Sequence, residues 1–102
     1  MMGGASIALA EESAVRIAAP DDHAFVSGVT RILIETSANH AIDHVSVAAG
    51  GEALGADFSP PYEVTWDTRL EADGPYVLVA TARSRDLHDT ASSRVSVTVD
   101  NT

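Results

Sequence analysis

The residues best able to carry chemistry in this chain are four histidines and fifteen acidic side chains. His40 and His44 stand four apart in His40-Ala41-Ile42-Asp43-His44. On a helix that spacing could hold zinc, but the glutamate of H-E-x-x-H is missing and the segment reads as a loop running into a strand. They are read as solvated loop histidines, and His23 and His88 fall in other turns. Asp21, Asp22, Asp43, Asp57, Asp86, Asp89 and Asp100 all sit in or beside loops. Calcium needs six or more oxygens, yet no D-x-D-x-D-G spacing is present, so these aspartates read as turn-forming and solubilising. No serine has a G-x-S-x-G context and no glycine-rich phosphate loop occurs. Glu11-Glu12 and Asp21-Asp22 are paired carboxylates in turns, without a cleft to shape them. Cysteine is absent, which removes disulfides, thiolate metal sites and thiol nucleophiles together. Lysine is absent too, which excludes Schiff-base catalysis and a lysine isopeptide cross-link. The expectation is no enzyme, no metal and no cofactor.

The elements that would position any site are strands. The 102 residues suffice for one domain, 45% of them are hydrophobic and the mean hydropathy is +0.06, which fits a folded core rather than a disordered chain. No apolar run approaches the ~20 residues of a membrane-spanning helix. From Ala14 onward the apolar pattern has period two, interrupted by turn residues. Val15 and Ile17 alternate with Arg16 until Pro20-Asp21-Asp22. Ile32 and Ile34 alternate within Val29 to Thr36. Val45, Val47 and Ala49 lead to Gly50-Gly51, and a short edge strand is expected around Ala53 to Asp57. Tyr62, Val64 and Trp66 follow Pro60-Pro61. Tyr76, Leu78, Ala80 and Ala82 form one face of the next strand, and Val95, Val97 and Val99 one face of the last. Short strands at this spacing with no helical period predict an all-β, antiparallel Greek-key sandwich of about seven strands. Trp66, Tyr62 and Tyr76 are the expected core anchors.

Several of these segments resemble one family. Val15-Arg16-Ile17-Ala18-Ala19-Pro20 followed by Val26-Ser27-Gly28 looks like the opening of bacterial immunoglobulin-like (Big-type) domains. Pro61-Tyr62-Glu63-Val64-Thr65-Trp66-Asp67-Thr68 is similar to their P-Y-x-x-x-W-D-T strand. Asp73-Gly74-Pro75-Tyr76-Val77-Leu78-Val79-Ala80 matches D-G-x-Y-x-L-x-A, and Val95 to Asn101 matches the closing V-x-V-x-V-D-N. The likeness spans about residues 14–101. One departure is Asp86-Leu87-His88-Asp89-Thr90, where family members often carry D-x-x-G-N. The resemblance implies a non-catalytic, immunoglobulin-like β-sandwich of secreted, surface or virion proteins, with Ile42 as an apolar plug in the loop before the third strand. Fold alone assigns no function.

Two features bear on partners. Fifteen acidic residues against six arginines give a formal charge of −9, which repels phosphate backbones and anionic lipid, so neither nucleic acid nor membrane is an expected partner. One sheet would expose Arg16, Arg31, Glu35, Glu63 and Asp67, a solvated mixed-charge face. The other would expose Ser46, Ala48, Val77, Val79, Thr81, Ser96 and Thr98, with no charge near its middle. In so acidic a chain that face is where a protein partner or a second copy is expected; carbohydrate binding has no support in the residues. Residues 1–13 read as a Gly/Ala arm, with Ile7 and Leu9 as candidate anchors, ahead of the sandwich at 14–102. Without the basic and longer apolar stretches of a signal peptide, the arm fits a small decoration or structural protein of a phage virion. The alternative is a spacer, adhesion or carbohydrate-accessory domain of a larger secreted or cell-wall protein. Both place the chain outside the cell.

Overall fold

A computed structural model describes residues 15–36, 42–85 and 90–102. Strands β1 (Val15–Ala19), β3 (Val29–Thr36) and β6 (Tyr62–Asp67) form one sheet in the order β1-β3-β6. Strands β2 (Ala24–Val26), β4 (Ile42–Ala49), β5 (Glu52–Asp57), β7 (Gly74–Ser84) and β8 (Thr90–Val99) form the other, in the order β2-β8-β7-β4-β5. All pairings are antiparallel except β2 with β8.

The period-two pattern accounts for this arrangement. Each strand turns its apolar alternates inward, and the two inner faces close on each other. Ile17, Ile32, Ile34, Tyr62, Val64 and Trp66 of one sheet meet Val45, Val47, Leu78, Ala80, Val95 and Val97 of the other, all buried. Tyr76 packs against this core and meets Trp66 edge-to-face, with ring centroids 5.5 Å apart and planes at 74°. Ala80 and Ala82 are fully or nearly fully buried on β7, where a larger residue would hold the sheets apart.

Three expectations need correcting. Eight strands occur among the described residues, because β2 was not anticipated. Ile42 opens strand β4 opposite Ser84 and packs against the core, so it is a strand residue rather than a loop plug. The last strand begins at Thr90 rather than Val95, and β7 continues to Ser84. The arm residues Ile7 and Leu9, with His40 and His88, lie outside the described residues.

One end of the sandwich is fastened by side chains. The Asn101 side chain accepts from the Gly28 N–H (2.8 Å) and donates to the Thr68 carbonyl (3.0 Å). Thr68, wholly buried in the 3-10 turn Thr68–Leu70, donates its hydroxyl to the Gly28 carbonyl at 2.7 Å. The closing D-N of the sequence thus ties the chain's last described residues to two loops.

Candidate interaction face

The outer face of the five-stranded sheet is built by residues alternating with the buried ones. Cross-strand pairing lays them out in rows. Ser46 stands opposite Thr81, and Thr81 opposite Ser92. In the next row Ala48 faces Val79, which faces Arg94. Val77 then faces Ser96, and Pro75 faces Thr98. Ser46, Ala48, Val77, Val79, Thr81, Ser96 and Thr98 therefore share one continuous surface, as their alternation predicts. Val77 is 41% exposed at its centre.

This face is not free of charge. Arg94 is exposed directly across from Val79, near the middle, and Arg83 is exposed toward one end. The expectation of an uncharged middle fails because period two is visible only from Val95 onward, whereas β8 begins at Thr90 and carries Arg94 onto the face. The residues Thr90-Ala91-Ser92-Ser93 are small or polar without contrast, so the strand's true start leaves no period-two mark. Phe25 was also missed. It is 74% exposed and pairs beside Thr98, on a strand of three residues too short to show alternation.

The sign of that charge is informative. Neither β7 nor β8 contains an aspartate or glutamate. Three arginines are matched elsewhere: Arg16 with Glu35 at 2.6 Å, Arg31 with Glu63 at 2.7 Å, and Arg69 with Asp67 at 2.8 Å. These pairs hold the Arg31 and Arg69 guanidiniums above their ordinary range and the Asp67 carboxyl below its own, each chiefly through its side-chain hydrogen bond. Arg83 and Arg94 make no ion pair among the described residues. Beside them, His44 stands opposite Arg83, hydrogen-bonds Asp43 at 2.8 Å and lies against exposed Phe58, ring centroids 5.0 Å apart.

No arrangement for acid–base or metal chemistry emerges among the described residues. Among the described residues Thr68 is the buried polar side chain, and no carboxylate, histidine or arginine is buried. No group of three or more histidines and carboxylates among the described residues converges on one point. His23 contacts Asp22 and His44 contacts Asp43, each a neighbour in sequence.

The sandwich topology and the residues it places fit one known pattern, that of the Bacterial Ig domain, which matches residues 14–80. The chain belongs to that family. Among solved structures, this Ig domain resembles the fibronectin(III)-like modules of Clostridium thermocellum CbhA at TM-score 0.71 and 22% identity, over 83% of this chain and 93% of that one. It also resembles the endo-β-1,4-mannanase of Thermotoga petrophila at TM-score 0.73 and 13% identity, over 86% of this chain but 20% of the mannanase. A chitin-active lytic polysaccharide monooxygenase, BlLPMO10A, matches at TM-score 0.62 and 16% identity, over 100% of this chain and 67% of that one. At such identities the likeness is one of fold. Comparison with curated protein sequences finds no match.

Proposed function

We propose that this Ig domain is a non-catalytic docking module that packs onto a protein partner through the outer face of its five-stranded sheet, and that it serves as an accessory domain of a larger, secreted polysaccharide-active protein. The observation that carries the docking role is the face itself. Val77 and Val79 lie exposed or half-exposed in its middle, with no carboxylate on β7 or β8 in a chain whose net charge is −9. Apolar surface ringed by hydroxyls and arginine, with the bordering carboxylates Asp22 and Asp43 engaged by the Ser96 N–H and His44, has the composition of a protein-binding patch. The opposite sheet spends its charges on itself, in the Arg16–Glu35 and Arg31–Glu63 pairs. Likeness to the CbhA modules and to one fifth of a mannanase favours the accessory role over virion decoration.

A photo-crosslinking residue placed at Val77, and separately at exposed Thr65 on the opposite sheet, tests this in the source bacterium. Capture of a polysaccharide-degrading polypeptide from position 77 and not from 65 supports the proposal. Capture of virion proteins instead would return the role to decoration. Equal capture from both positions would remove the outer face as the docking surface.

A further inference from the structure

The outer face also constrains what its partner must look like, given the docking role proposed above. Val79 and Arg94 are directly opposed on neighbouring strands, so their side chains start about 5 Å apart. A protein surface broad enough to cover Val77 and Val79 therefore covers Arg94. No carboxylate of β7 or β8 accompanies that guanidinium, and it has no ion-pair partner among the described residues. Burying it without a counter-charge would forfeit more than the two valines return. The missing charge has to arrive with the partner.

We infer that the outer face of β4, β7 and β8 binds an acidic protein surface, one that sets apolar side chains over Val77 and Val79 and carboxylates against Arg94 and Arg83. The spacing of the two cations sets the footprint. Arg83 lies four residues beyond Val79 on the same strand, so the two guanidinium-bearing rows are about 14 Å apart. Between them runs the hydroxyl row Ser46–Thr81–Ser92, able to donate to further carboxylate oxygens. Bidentate contact with planar guanidinium fixes orientation as well as adding affinity.

Two other occupants fit less well. A second copy laid face to face would bring arginines together, while the carboxylates that border the face, Asp22 and Asp43, are already engaged by the Ser96 N–H and His44. A carboxylated polysaccharide would satisfy the arginines but leave the valines without apolar contact. The overall charge of −9 does not forbid an acidic partner, because charges beyond about 8 Å are largely screened at physiological ionic strength. Recognition then depends on the groups actually in contact.

The test uses the isotope-labelled full chain, titrated by NMR with a random glutamate–tyrosine copolymer, with polygalacturonate, and with itself by dilution. The expected result is amide shifts from the copolymer confined to Val77, Val79, Thr81, Arg83, Ser92 and Arg94. Its affinity should fall about tenfold or more with Arg94→Glu, and should weaken as salt rises. Arg31→Gln on the opposite sheet should bind as wild type, and thermal melts should show every variant folded. Shifts spread over the opposite sheet, or copolymer binding untouched by Arg94→Glu, would overturn the inference. Equal binding of polygalacturonate at the same residues would reassign the face to glycan, and concentration-dependent shifts of the chain alone would reassign it to self-association. Crosslinking from Val77 that succeeds while the copolymer fails would leave the docking role standing and remove only the acidic partner.

Discussion

Trp66 shows how much one side chain does in a core this small. It is 2% exposed, packs edge-to-face on Tyr76, and sits where both sheets contribute neighbours. Trp66→Ala should cost about 3–5 kcal/mol, a large share of the roughly 5–15 kcal/mol that holds a domain of this kind together. Urea denaturation measures it; a loss under about 1 kcal/mol would mean the indole contributes little packing. Asp67, one residue on, acts through charge. Its carboxylate accepts from the Arg69 guanidinium at 2.8 and 2.9 Å and from the Arg69 N–H at 3.1 Å. The Arg69 side-chain hydrogen bond, first among the causes, lowers its pKa below the ordinary 3.8. A carboxyl whose folded pKa is depressed binds its proton more readily when unfolded, so it stabilises the fold at pH above 3.8 and loses that contribution as pH falls through the folded value. In urea titrations Asp67→Asn should therefore show a shallower loss of stability below pH 3.8 than wild type, and parallel profiles would remove the effect. The pair is exposed to solvent, so the difference should be small and should shrink with added salt.

At the scale of elements, the turn between β4 and β5 is specified by its two glycines. Gly50 and Gly51 have φ of 57° and 85° and connect the paired residues Ala49 and Glu52, the geometry of a two-residue hairpin turn with both central residues left-handed. A Cβ at Gly50 would also lie 3.3 Å from the Tyr76 ring. Gly50→Ala should destabilise by about 1–2 kcal/mol from the backbone alone, and more if Tyr76 cannot yield; calorimetry showing no loss would mean the turn relaxes to another type. This hairpin was legible in the sequence because Gly-Gly ends a run whose alternation names its buried face, with a short edge strand expected beyond it. The same logic made β1, β3, β4, β6, most of β7 and the second half of β8 legible, and with β4, β7 and β8 the seven residues on the outer face. It failed where contrast was missing. The small polar run Thr90 to Ser93 hid the first half of β8, and with it the place of Arg94. Strand β2 has three residues and takes its place from a parallel pairing with Val97, Thr98 and Val99, more than seventy residues on. No local pattern carries that information, because it is fixed by packing between segments far apart in the chain.

Across the whole molecule, the acidic residues do structural jobs that compete with ion binding. The Asp22 carboxylate accepts from the Ser96 N–H at 2.9 Å, extending the edge that β2 leaves on β8. Asp57 accepts from the N–H groups of Ser59 and Glu63 at 3.3 and 3.0 Å. Asp73 accepts from the Asn101 N–H at 3.1 Å and the Thr102 hydroxyl at 3.0 Å, while Asp43 and Asp67 are engaged by His44 and Arg69. These carboxylates serve different backbone positions around the sandwich, whereas calcium needs six or more oxygens around one point. Among the described residues no such group forms. Chelator treatment should accordingly leave the melting temperature unchanged. The experiment has the resolution to decide, because a site filled at a hundred times its Kd would contribute about 2.7 kcal/mol, and in a domain of about 100 residues each kcal/mol moves the midpoint by roughly 4–8 °C. A fall of that size with EDTA, reversed by calcium and not by magnesium, would show that the loop aspartates leave their backbone partners to hold an ion.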